Sequence, residues 1–86
     1  MAGVNETIGM ITTLKESGKQ LSRACAHYGS ELDKASRYIA QLMQGSRTGD
    51  KAVGSMTVAA ASVKDTVSSL DALDKDFDRC IEQMRS

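Results

Sequence analysis

The chain has no proline and no tryptophan, and its aromatic residues are limited to Tyr28, Tyr38 and Phe77. An internal proline would cost a helix ~3 kcal/mol, so its absence leaves the chain free to form long uninterrupted helices. The shortage of aromatics removes the platforms on which bases and sugars stack. Charge of one sign is also missing: 11 Lys plus Arg are balanced by 11 Asp plus Glu, for a net charge of zero. That lacks the basic footprint of a nucleic-acid binder, and no DNA or RNA partner is expected. No apolar run approaches the ~18 residues needed to cross a bilayer, so no membrane insertion is expected. The segment Met1-Ala2-Gly3-Val4-Asn5-Glu6 has neither the basic n-region nor the apolar h-region of a signal peptide. The chain is expected to be cytoplasmic before any export, and export would need a dedicated machine that takes it folded.

What the sequence does have is a hydrophobic seam in 4-3 steps, broken once at a glycine-rich stretch. Before the break it runs Val4, Thr7, Ile11, Leu14, Gly18, Leu21, Cys25, Tyr28, Leu32, Ala35, Ile39 and Leu42. After it come Val53, Met56, Ala60, Val63, Val67, Leu70, Asp74, Phe77, Ile81 and Met84. A stripe repeating every ~3.5 residues keeps one helix face toward a partner, which predicts coiled-coil-like packing of two long helices. Asn5 is the expected N-cap of a helix over 5–44. Gly45 stands where a left-handed residue is wanted, residues 45–50 read as the turn, and Asp50 is the expected N-cap of a second helix over 51–85. The predicted fold is all-α, one antiparallel two-helix hairpin over residues 1–86.

A turn centred between Arg47 and Thr48 sets Cys25 near Leu70, Cys80 near Lys15, Phe77 opposite Gly18, Lys19 near Asp76 and Arg23 near Asp71. The two thiols are then ~15 Å out of register, too far for a disulfide. Asp74 is the polar exception in the second seam, a position type that lowers stability and fixes register or partner choice. Two helices of an 86-residue chain enclose little interior, so a second molecule is expected to supply stability. A second apolar stripe points the same way. Met10, Ala24 and Tyr38 on the first helix, and Ala52, Ala59, Leu73 and Cys80 on the second, precede seam residues, with Ile8 and Met43 on the other shoulder. The expected partner interface is Ile8, Met10, Tyr38, Met43, Leu73 and Phe77, with Asp74 contributing specificity. Dimerisation through it would make a four-helix bundle.

No reactive constellation competes with this reading. His27 falls on the exposed side of its helix with Glu31 as its only neighbouring acid and no nucleophile to activate. Two cysteines and one histidine give no metal-ligand spacing, and Asp71, Asp74, Asp76 and Asp78 splay around a helix without the glycine and glutamate of an EF-hand loop. Gly45 to Gly49 has neither phosphate-loop spacing nor a preceding strand. Neither catalysis nor a cofactor, metal or small-molecule substrate is expected.

The turn, Leu42-Met43-Gln44-Gly45-Ser46-Arg47-Thr48-Gly49-Asp50, resembles a degenerate Trp-x-Gly turn of the small WXG family exported by type VII (ESX-type) secretion systems. Met43 stands where the tryptophan would be and Gly45 matches the glycine. The resemblance implies a helix-turn-helix hairpin that pairs, as a homodimer or heterodimer, into a four-helix bundle. Exported members carry a Tyr-x-x-x-Asp/Glu signal after the second helix. Here Phe77 is followed at that spacing by Ile81, with Glu82 one step beyond, so the chain is similar to the signal-less member of a pair. Similar small helical proteins bind the helical N-terminal domains of LXG-type toxins and accompany them to the secretion machine. The competing expectation is a self-assembling subunit resembling the hairpin needle proteins of type III secretion.

Overall fold

The computed structural model describes residues 3–86. Two helices of equal length, α1 (Val4–Leu42) and α2 (Arg47–Arg85), 39 residues each, fold back on one another into an antiparallel hairpin measuring 61 × 19 × 14 Å. No strand occurs among the described residues, as the uninterrupted 3.5-residue period requires.

The ends differ from the expected caps. Gly3, in extended conformation, is the N-cap of α1, and it lends no side chain. Its carbonyl instead accepts from both the amide and the hydroxyl of Thr7, at 3.0 Å each. Asn5 is the second residue of the helix, within its first turn. α1 stops at Leu42 and the turn is residues 43–46, earlier than the expected 45–50. Gly45 carries the left-handed conformation at φ 82°, which a side chain would strain. Ser46, not Asp50, caps α2: its Oγ accepts from the Gly49 amide at 3.2 Å and its carbonyl from the Asp50 amide at 3.0 Å. Asp50 sits in the first turn, where its charge complements the helix dipole.

The earlier turn moves the register. Lys15 pairs with Asp78, two residues before the expected Cys80. Gly29 meets Val63, whose Cγ1 lies 3.4 Å from where a glycine Cβ would stand. Phe77 does not fill the space at Gly18, where nothing lies within 4 Å of a built Cβ. Asp76 takes Arg79 of its own helix at 2.6 Å, not Lys19.

The interior is as thin as two helices make it. Among the described residues Ile8, 8% exposed, is the only buried hydrophobic one, and no side chain there is enclosed completely. Its burial inside the hairpin corrects the expectation that it serves a partner.

Candidate partner-binding face

On α2 the covered residues are the expected seam: Val53, Met56, Ala60, Val63, Val67, Leu70, Asp74, Phe77, Ile81 and Met84 are all half-buried. On α1 the covered face is rotated. Ile11, Gly18, Cys25, Leu32, Ala35 and Ile39 are half-buried as expected, but Lys15, Ser22 and Gly29 are covered in place of Leu14, Leu21 and Tyr28, and Ser36 is covered beside Ala35. Size complementarity accounts for the rotation. α2 already offers Met56, Val63, Val67, Leu70 and Phe77, and large residues facing large ones would push the helices apart, whereas glycine and serine let them close.

The consequence is a row of large apolar side chains left outside. Leu14, Leu21, Tyr28 and Leu42, at steps of seven or fourteen residues, are exposed by 54, 51, 57 and 85%. A seven-residue step keeps them on one side of the helix. Met10 and Tyr38 stand beside this row, both exposed, and Leu73 and Cys80 occupy the corresponding shoulder of α2. Of the residues singled out from sequence, Met10, Tyr38, Leu73 and Met43 are exposed, Phe77 and Asp74 are half-buried between the helices, and Ile8 is buried. The 4-3 pattern places the row from Leu14 to Leu42 in the internal seam. Its outward placement is what sequence reasoning missed, and the small residues at Ser22, Gly29 and Ser36 were the available signal.

Near the open end of the hairpin a groove of about 280 Å³ lies between the helices, walled by Leu14, Gly18, Leu70, Leu73 and Phe77. Asp74 also lines it, and the Asp74 Oδ1 atom is buried with no hydrogen-bond partner in the chain. An unsatisfied buried oxygen carries a desolvation penalty. Lys15 binds Asp78 instead. The hydrogen bond and the nearby charges of Asp78, Asp74 and Glu16 hold the Lys15 ammonium above its ordinary pKa, against the opposing effect of desolvation.

At the bend, Met43 is packed on Gly49. A Cβ added at Gly49 would stand 2.7 Å from the Met43 Cβ and 3.0 Å from its carbonyl oxygen. Cys25 is half-buried in the seam and Cys80 exposed, both as free thiols; His27 is exposed. Among the described residues no three His, Cys, Asp or Glu side chains gather where a metal could be held, and no helix is long and apolar enough to cross a membrane. Models of known protein families, characterised proteins and solved structures offer no match to this chain.

Proposed function

We propose that the chain is a helical pairing subunit of a type VII secretion system, binding either itself or the helical targeting domain of an LXG-type toxin and accompanying it to the secretion machine. The observation that carries the pairing is the exposed Leu14, Leu21, Tyr28 and Leu42 row on a hairpin with one buried hydrophobic residue among those described. A large apolar side chain gains about 1.5–3 kcal/mol on full burial, and this fold leaves that gain for a partner to supply. The secretion context rests on the resemblance of the Met43-Gln44-Gly45 turn, where the left-handed Gly45 meets the backbone requirement that a glycine at this place serves. In this reading the chain acts by binding, the cytoplasm is where it meets its partner, and a four-helix bundle is the paired form.

Light scattering on a size-exclusion column, with the chain alone and mixed with helical candidates, tests the reading. A closed dimer or a stable heterodimer is expected, and Leu73→Asp should abolish it while the dilute chain keeps its helical circular dichroism. An unchanged complex size in that variant would remove Leu73 from the interface. Open-ended oligomers that grow with concentration would replace the reading with that of a needle-like structural subunit.

A further inference from the structure

We infer that α1 has two rotational settings against α2, one that presents the Leu14, Leu21 and Tyr28 row and one that hides it, and that a latch at each end of the hairpin holds the presenting one. The rotation stands on the geometry of the chain alone. Its role as a gate on binding rests on the reading of the chain as a pairing subunit.

α1 carries two inward stripes that overlap. Ile11, Gly18, Cys25, Leu32 and Ile39 belong to both. In the structure they alternate with Ile8, Lys15, Ser22, Gly29 and Ser36, all buried or half-buried. One position earlier in each case stand Thr7, Leu14, Leu21, Tyr28 and Ala35, of which Leu14, Leu21 and Tyr28 are exposed. Exchanging one set for the other moves no residue along the rod. It needs a turn of α1 about its own axis by ~50°, half the angle between successive residues. Thr7 and Ala35 are already half-buried beside Ile8 and Ser36, so at these two levels both stripes share the interface.

The two settings have opposing costs. The presenting one leaves three large apolar side chains in water, holds the Lys15 side chain at 19% exposure and encloses the Asp74 Oδ1 atom without a partner. The hiding one takes the apolar row out of water, but it sets large residues against Val63, Val67, Leu70 and Phe77 and so spreads the helices. The flank toward which the covered stripe would turn is hollow. The groove of about 280 Å³ lies against Lys15, Gly18 and Ser22, with Lys19 and Arg23 on its far side. A second, shallow groove of about 600 Å³ continues along Gly29, with Ala26, Ser30 and Asp33 beyond it. Turning Leu14, Leu21 and Tyr28 inward moves Lys15, Ser22 and Gly29 into this open flank.

Two contacts oppose the turn. At the bend, Met43 is the next member of the presenting stripe after Ile39, and it lies so close to Gly49 that no side chain fits there. At the open end, Lys15 of the same stripe bonds Asp78. Between the two latches the alternating positions Ser22, Gly29 and Ser36 have short side chains or none, and offer little to grip.

Thiol accessibility reads the setting. In a Cys25→Ser, Cys80→Ser background, Leu21→Cys and Ser22→Cys are placed in separate chains and labelled with a maleimide at low protein concentration. The Leu21→Cys thiol should react several times faster. Releasing both latches with Gly49→Ala and Asp78→Asn should reverse that order, whereas in urea the two thiols react alike. Retention of the order, or equal rates in a chain that keeps its helical circular dichroism, overturns the second setting. Ser36→Asp with Asp78→Asn covers the case in which Gly49→Ala does not fold. It leaves the bend intact and puts a charge on the presenting stripe that the hiding setting carries outside, so the order should again reverse, and its retention again overturns the proposal. With the latches released, association by light scattering should weaken about tenfold, because apparent affinity falls with the fraction of chains that present the row. A reversed order in a chain that pairs with nothing keeps the rotation and removes the gate. A chain that pairs but never reverses keeps the pairing reading and removes the rotation.

Discussion

α1 and α2 have the same length, 39 residues each, and use their apolar residues in opposite ways. α2 turns its main stripe inward and leaves Val58 and Leu73 as its exposed large hydrophobics, whereas α1 alternates Ile8, Ile11, Leu32 and Ile39 with the small Gly18, Ser22, Gly29 and Ser36 on its inner face and leaves Val4, Met10, Leu14, Leu21, Tyr28, Tyr38 and Leu42 outside. The difference shows that an apolar stripe in a sequence does not declare which neighbour it serves. Its side-chain sizes, set against those of the facing helix, do.

The sharpest way to break this comparison is to put the same charge into each stripe. Val67→Asp places a carboxylate between the helices and should abolish most of the cooperative urea transition, because an unpaired charge at a covered position costs several kcal/mol. Leu21→Asp should leave the dilute chain helical and weaken association at least a hundredfold by light scattering. If the two variants behave alike, the roles assigned to the two stripes are wrong. A smaller effect comes from Gly49→Ala, which forces a methyl group onto the Met43 backbone and Cβ. A loss of about 1–3 kcal/mol in urea is expected, typical of overpacking. It should be accompanied by weaker pairing, because the bend sets how α1 faces α2. Ser46→Ala removes the only side-chain cap at the bend and should cost ~1 kcal/mol by the same measurement, with pairing unchanged.

The mildest perturbation is pH. The pKa of Lys15 is raised above its ordinary 10.5 by its bond to Asp78. The folded state therefore holds this proton more tightly than the unfolded one. The stabilisation is complete below pH 10.5 and declines as pH rises through the raised value. Lys15→Gln should be slightly less stable than the parent at neutral pH, with the gap closing in alkaline urea titrations.

Two long helices and a single bend were legible because the 3.5-residue period runs unbroken on either side of Gly45 and no proline interrupts it. The inward stripe of α2 was legible too, since that helix carries only one continuous row of large apolar residues. α1 carries several adjacent rows, and periodicity ranks the row with the largest residues first; the inward choice of Ser22, Gly29 and Ser36 depends on what α2 presents. The register shifted because Gly49 reads as a turn glycine. In the fold it is helical, and its missing side chain accommodates Met43. The 4-3 pattern puts Ile8 on the shoulder for a related reason: whether it lies inside depends on how far the end of α2 reaches, which the bend decides. Asp74 was legible as the polar exception in its seam, but its unpartnered Oδ1 appears only when both helices are in place.

The contact between Met43 and Gly49 therefore acts as an angular setting. Each residue added to or taken from the bend would turn one helix by ~100° relative to the other, bringing a different row of α1 to the outside. The choice of which row greets a partner is made at the fold-back, far along the rod from most of the side chains that do the greeting. A lineage of such hairpins could change partners by altering the length of its bend while leaving every residue of the binding row as it was.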